Sequence, residues 1–228
     1  MLVIFDLGET LVDYEGVALD WSEHYRSAIV EALNDSFKVK EEFIAAAENL
    51  LLTYNSRRNP RLSEVREGEV TLELSKLLGV EYQPFERKFF GYFQRKSSLV
   101  PGALETIQEL KRRKFHLAVL SDVPYGMPIE FLKEDLNLLV PYFDEILSSC
   151  HVGFRKPSGK GILEIVERSG IEKAKALYVG NERKDIEAAI AADIMSILIV
   201  RNSDDLPNFG QSKTVRSLSE IPLLINEY

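Results

Sequence analysis

The chain has 228 residues, 45% of them hydrophobic and 28% charged, with 36 acidic against 28 basic side chains and a formal net charge of −8. Those totals describe a globular chain of one sizeable domain or a domain with a lid, and the negative balance argues against a general nucleic-acid or anionic-membrane partner, though a small anionic substrate held by local cations stays open. The single cysteine, Cys150, excludes an internal disulfide and, with no basic leader and no apolar run of membrane-spanning length, leads us to expect a cytoplasmic protein.

Five apolar residues open the chain (residues 1–5), three of them branched, and read as a short strand buried on both faces. The run stops at Asp6, followed by Gly8 and the small hydroxyl residue Thr10. Strands of open parallel sheets deliver ligand-binding groups at their carboxyl ends, so Asp6 is aimed at a crevice, as nucleophile, metal ligand or both. Residues 14 to about 98 lack strand-like runs, and their apolar residues recur at helical spacing: Ile29, Leu33 and Phe37, then Ala46, Leu50 and Tyr54. Residues 71–78 form a further helical stretch carrying Leu74, Leu77 and Leu78, closed by Gly79, and Asn59-Pro60 marks a break. A small helical bundle inserted after the first strand is expected.

From Val100 the texture changes. Val100-Pro101-Gly102 starts a helix that runs to about residue 113 with Leu104, Ile107 and Leu110 on one face. Residues 115–120 read as a strand ending at Ser121-Asp122, residues 128–136 as a helix with Pro128 in its first turn, and residues 143–147 as another strand. After a loop through Lys156-Pro157, a helix over 161–169, a strand over 176–179 ending at Gly180-Asn181, a helix over 185–192 and a strand over 195–200 complete the pattern. Such alternation implies a mainly parallel sheet covered on both faces, with right-handed crossovers. The turn-rich tail after Asn202 receives no assignment.

The carboxyl ends of the strands share one edge, which gathers Asp6, Ser121, the loop bearing Lys156 and the turn from Asn181 to Asp185. A carboxylate, a hydroxyl donor, a cation and a second acidic region suit phosphoryl transfer through an aspartyl-phosphate assisted by Mg²⁺, a cation content with one or two carboxylates, a backbone carbonyl and waters. Lys156 would neutralise charge on Asp6 and the phosphoryl oxygens, and Ser121 would donate to them.

At this point the chain resembles the haloacid dehalogenase (HAD) superfamily. The matching residues are Phe5-Asp6-Leu7-Gly8-Glu9-Thr10-Leu11-Val12-Asp13, then Leu117-Ala118-Val119-Leu120-Ser121, Gly153-Phe154-Arg155-Lys156-Pro157, and Tyr178-Val179-Gly180-Asn181 continuing to Asp185. They occur in the family's order, and Val100-Pro101-Gly102 looks like its re-entry from cap to core. The resemblance implies an α/β fold: a Rossmann-like parallel-sheet core (1–13 and 99–228) with an inserted α-helical, C1-type cap (14–98). It implies Asp6 as nucleophile and Mg²⁺ ligand, the Gly8 carbonyl as a second ligand, and Asn181 and Asp185 completing the metal shell, with Glu182 as alternate. It further implies that Ser121, Asp122 and Lys156 hold the phosphate, Lys156 also steadying the nucleophile.

Three positions depart from the family's pattern. Gly8 stands where phosphatases of the family usually carry a second Asp that moves a proton, a function typically worth about 10²–10⁴ in rate. Glu9, one residue further along, should point elsewhere. Asn181 stands where Asp is usual, and Asp122 where Asn is common. Other polar residues are expected to be structural. Thr10 bonds the turn backbone, Arg57, Arg58 and Arg61 form a solvated face, and Trp21, His24 and Tyr25 pack within the bundle. Cys150 and His151, as neighbours on a strand, point to opposite faces and cannot pair, and all three histidines are structural. The leading function is a Mg²⁺-dependent phosphomonoesterase acting on a small phosphorylated metabolite. The alternatives are metal-free hydrolytic dehalogenation and a weakened or non-enzymatic relative that binds a phosphometabolite or a partner. The oligomeric state is not set by the sequence.

Overall fold

The computed structural model describes residues 1–18, 20–33, 39–201, 203 and 205–225. Phe37, expected on a helical stripe, lies outside the described residues, as does Asn202. At the centre is strand β1 (Leu2–Phe5), followed along the chain by β2 (Val12–Tyr14). Four helices come next: α1 (Tyr25–Leu33), α2 (Glu41–Tyr54), α3 (Glu69–Leu78) and α4 (Tyr82–Gln94). Then follow β3 (Ser97–Leu99), α5 (Ala103–Arg112), β4 (His116–Ser121), α6 (Ile129–Leu136), β5 (Glu145–Ser148), α7 (Ser149–Val152) and α8 (Lys160–Ser169). The order closes with β6 (Ala176–Gly180), α9 (Arg183–Ala191), β7 (Met195–Ile199), β8 (Lys213–Val215) and α10 (Ile221–Leu224).

Among the described residues, six strands form one parallel sheet in the order β5-β4-β1-β6-β7-β8. Every residue of β1 is buried, because consecutive side chains leave a strand on opposite faces and both faces are covered. Leu2 and Ile4 join Ala118, Leu120, Tyr178 and the apolar sides of α8 and α9 on one face. Val3 and Phe5 join Leu117, Val119, Leu177 and α5 on the other. The central position of β1 sends Asp6 into the middle of the carboxyl-end edge.

Strands β2 and β3 pair antiparallel, and α1–α4 lie between them in the chain. These helices pack on one another, and their buried residues, including Ala47, Leu51, Phe89 and Phe93, belong to the same apolar cluster as Val3 and Phe5. Trp21, in a 3₁₀ turn before α1, stacks flat on Phe93 with ring centroids 3.8 Å apart.

Several expectations change in detail. In α2 the period is helical, but the buried stripe is Ile44, Ala47 and Leu51, while Ala46, Leu50 and Tyr54 flank it half-buried; the face is turned by one residue. Helix α4, to which no stretch was assigned, buries Phe85, Phe89, Phe90 and Phe93. The pairs β2–β3 and the edge strand β8 are three residues long and show no period to read. Cys150 and His151 belong to the single turn of α7, not a strand. The His151 ring instead meets Ser148 Oγ at 2.9 Å, and burial pushes the Cys150 thiol up to about 12.

Candidate active site

Asp6 leaves β1 with its N–H donated to the Val179 carbonyl of β6 at 2.8 Å, one last rung of the parallel ladder. A tight turn follows, in which the Leu7 carbonyl accepts from the N–H groups of Thr10, Leu11 and Val12 at 3.2, 2.8 and 3.0 Å. The turn needs Glu9 in the left-handed region, φ 56°. Opposite Asp6 stands Lys156, delivered by the loop between α7 and α8. Its Nζ lies 2.5 Å from Asp6 Oδ1, 2.6 Å from Asp185 Oδ1 and 3.0 Å from the Tyr178 hydroxyl. The Tyr178 hydroxyl donates a hydrogen bond to the Leu120 carbonyl at 3.0 Å, so the lysine is fixed by groups from the end of β1, β6 and α9 and, through Tyr178, by β4.

Asp185 does two jobs. Its Oδ2 accepts the backbone N–H groups of Asn181 and Glu182 at 3.1 and 2.9 Å, closing a capping box at the start of α9, while Oδ1 holds Lys156. A Cβ on Gly180 would stand 2.5 Å from the Asp185 carboxyl, so the strand can end beside this acid only as glycine. Asn181 accepts from Thr10 Oγ1 at 3.1 Å and donates to Glu9 at 3.2 Å. The Thr10 hydroxyl thus bonds a neighbouring side chain, while its N–H bonds the turn backbone.

The cleft above Asp6 is lined by Gly8, Ser121, Asp122, Glu182, Lys184 and Arg57, among others. Asp122 Oδ1 accepts the Lys156 N–H at 3.1 Å, and Oδ2 meets Lys184 at 3.2 Å. Lys184 also reaches Glu182 at 3.2 Å, and Arg57, from the helical segment, grips both oxygens of Glu182 at 2.9 and 3.0 Å. The basic trio keeps contact with solvent, as expected, and each member is paired as well. Arg58 bonds Asp20 and Ser22, and Arg61 bonds the Tyr54 carbonyl and Glu64, because the chain folds back through Asn59-Pro60 and brings acceptors to each. Trp21 is buried as expected but also borders the cleft.

A second seam joins the helical segment to the loop carrying the lysine. Ser63 and Phe154 form an antiparallel bridge, with Glu64 N–H given to the Gly153 carbonyl at 3.0 Å and Arg155 N–H to the Leu62 carbonyl at 2.8 Å. The fully buried Glu64 carboxylate binds the Arg155 guanidinium and accepts from Ser149 Oγ at 2.6 Å. Arg155 donates onward to the Val123 carbonyl at 2.8 Å.

Burial, reinforced by the charge of Asp185, outweighs Lys156 and raises the Asp6 carboxyl above its ordinary range. Burial also works against the Lys156 ammonium, but Asp185 and Asp6 override it and keep the lysine charged. For Asp122 burial opposes ionisation, yet Lys156, Lys184 and Arg155 prevail and hold it below the usual carboxylate range. Two buried carboxylates sharing one ammonium leave surplus negative charge at the strand ends. That surplus and the all-oxygen donor set of Asp6 and the Gly8 carbonyl fit a hard divalent cation. Among the described residues no three His, Cys, Asp or Glu side chains cluster as a cage, so such an ion would keep several waters.

The expected residues are thus brought to one edge, but with different engagements. Asp6, Gly8, Ser121 and Asp122 line the cleft, while Lys156 is buried against Asp6 and borders a neighbouring depression. Asn181 and Asp185 stand beside it with their polar atoms engaged by Thr10, Glu9, Lys156 and the backbone. Glu9 faces away, lining a separate depression with Asn181, Arg183 and Arg201. Sequence reading missed Tyr178, Lys184, Glu64 and Arg155. Lys184, one residue before Asp185, and Arg155, one before Lys156, were within reach of that reading; Glu64 carried no local signal.

The haloacid dehalogenase-like hydrolase family matches residues 1–193 of the chain. The glyceraldehyde 3-phosphate phosphatase of Methanopyrus kandleri is 24% identical over 219 residues, covering 91% of this chain and 91% of its own length. The phosphoglycolate phosphatase of Agrobacterium fabrum is 28% identical, covering 90% and 83%. Among solved structures, a HAD phosphatase from Thermococcus onnurineus superposes with a TM-score of 0.67 at 20% identity, over 98% of this chain and 97% of that one. A 2-haloacid dehalogenase from Pseudomonas syringae pv. Tomato gives 0.66 at 22% identity, over 99% and 98%; both likenesses speak for the fold alone.

Proposed function

The chain belongs to the haloacid dehalogenase-like hydrolase family, and from that premise we propose that it is a Mg²⁺-dependent phosphomonoesterase acting on a small phosphorylated metabolite through an aspartyl-phosphate. One observation carries the reading: a buried carboxylate at the tip of the central strand, held at 2.5 Å by a buried lysine, at the floor of a cleft. Phosphatase relatives matching over nearly the whole chain support it. Asp6 is the nucleophile. Lys156 orients it and absorbs charge from the phosphoryl oxygens, to which the Ser121 hydroxyl donates. Asp122 fixes the Lys156 backbone and, with Lys184, borders the phosphate. Asp6 and the Gly8 carbonyl would hold Mg²⁺, with Asn181 and Asp185 shaping the turn beside them. When bound, that ion neutralises charge on Asp6 and on the phosphoryl group.

In the same reading, residues 1–13 and 99–228 are the catalytic core and residues 14–98 the cap whose approach shields the cleft from bulk water. The lone half-buried cysteine fits a cytoplasmic setting, and among the described residues no helix is long and apolar enough to cross a membrane.

The test is phosphate release from a panel of phosphomonoesters, p-nitrophenyl phosphate included, with Mg²⁺ or with EDTA, and with Asp6→Asn as control. Release that needs both Mg²⁺ and Asp6 is expected. Silence across the panel would leave a binding protein, and halide release from 2-haloacids without metal would make it a dehalogenase.

A further inference from the structure

One stretch of the cleft lining is largely carbon. Trp21, Tyr125, Met127 and Val123 line it and are almost wholly buried elsewhere on their surfaces. Trp21 is backed by its flat stack on Phe93 and by the edge of Tyr14 at 6.1 Å, which holds the indole plane in place. The polar groups of this lining are engaged within the protein. The Tyr14 hydroxyl donates to Asp135 at 2.7 Å, and that of Tyr54 to Glu73 at 3.1 Å. Asn55 gives its amide hydrogens to Asp20 at 2.7 Å and to the Tyr25 hydroxyl at 2.9 Å, and the Tyr125 hydroxyl is paired with Tyr25.

The acids of the cleft are equally committed. Glu182 is gripped through both oxygens by Arg57, and both it and Asp122 pair with Lys184. A carboxylate in such pairs is ionised and has no proton to give. Gly8, two residues past Asp6, brings a backbone bridge to Val12 and no side chain. Apart from Asp6, whose oxygen is the attacking one, the acids among the described residues lining the cleft are these paired carboxylates, and none is placed to protonate a departing oxygen. With no carboxylic acid to protonate it, and with the Lys184 ammonium held between Asp122 and Glu182, an ester oxygen leaving there carries most of its negative charge away, which alkoxides do poorly and phenolates do well.

Resting on the phosphatase reading above, we propose that the preferred substrates are phosphate esters of flat, weakly basic leaving groups, phenol-like in acidity, whose ring lies against Trp21 and Met127. The steps balance without a proton donor. An Asp6 oxygen bonds to phosphorus as the ester P–O bond breaks, its electron pair leaving on the phenolate oxygen. Water then bonds to phosphorus, the P–O bond to Asp6 breaks with its pair returning to the carboxylate, and both protons of the water depart on dihydrogen phosphate.

The experiment is a leaving-group series on the full chain with Mg²⁺: phenyl phosphates from 4-nitro to 4-methoxy, set against phosphoglycolate and glycerol 3-phosphate. We expect kcat/KM to fall steadily as the leaving group becomes more basic, with the alkyl esters slower than p-nitrophenyl phosphate by about 10²–10⁴, the range of a missing general acid. Trp21→Leu should raise KM for the aryl esters more than for the alkyl ones. A flat series, or alkyl esters turned over as fast as aryl ones, overturns the proposal while leaving the phosphatase reading standing. Release from none of the esters overturns both. Should Trp21→Leu fail to fold, the series on the unmodified chain decides alone.

Discussion

Of the arginine–glutamate contacts that join the helical segment to the α/β part, two border the cleft or the lysine loop, alike in chemistry and opposite in setting. The Glu64 and Arg155 side chains are 0% and 6% exposed and sit in a strand-like seam. The Arg57 and Glu182 side chains are 36% and 22% exposed at the cleft. Both charges of the first pair have left water, so each depends on the other and on its remaining partners, Val123 for Arg155 and Ser149, Arg61 and the Val65 N–H for Glu64. The second pair keeps contact with solvent, where an ion pair is worth little and can exchange partners. Burial, rather than residue type, thus makes one contact a fixed joint and the other a gate post.

The sharpest way to break this comparison is Glu64→Ala, which strands a buried guanidinium. It should cost about 3–5 kcal/mol, read as a lowered urea midpoint, whereas replacing the pair together, Glu64→Met with Arg155→Leu, should recover most of the loss. A cost no larger than that of Arg57→Ala would erase the distinction. A third contact across the same boundary, Tyr14 to Asp135, tests burial through pH. Burial lifts the Asp135 carboxyl from 3.8 to about 6 against the hydrogen bonds from Tyr14 and Ser97. A carboxyl that binds its proton more tightly when folded adds stability below its unfolded pKa and loses it as pH rises through the folded one. Asp135→Asn should therefore match the parent near pH 4 and exceed it above pH 6, by at most about 3 kcal/mol in denaturant titrations. A difference that does not change with pH would remove Asp135 from the account. Arg57→Ala should be smallest in stability, within about 1 kcal/mol. Its effect should appear instead in KM for phosphate esters, because Arg57 lines the cleft; a large drop in melting temperature would show the gate post to be structural.

What the sequence disclosed follows the same division between local and distant causes. The strands of the parallel sheet were legible because burial on two faces writes an unbroken apolar run, as in Leu2–Phe5. The ends of those strands then placed Asp6, Ser121 and Lys156 together without knowledge of distances. Strands β2, β3 and β8 are too short to carry a period. Helix α4 opens with Pro84 in its first turn, where proline is tolerated, and its aromatic stripe resembles no common pattern. In α2 the choice of Ala46, Leu50 and Tyr54 over Ile44, Ala47 and Leu51 shows that period is set locally, while the buried face is chosen by what packs against it. Glu64 lies 91 residues from Arg155, and nothing near either forecasts the meeting.

The apolar cluster that contains both Phe5 on the sheet and Phe89 within the helical segment has one more implication. A fragment cut at the β2–β3 ribbon would carry half of a shared interior, with its greasy side turned to water. The two parts should consequently melt together, as one calorimetric peak, and neither should survive expression alone.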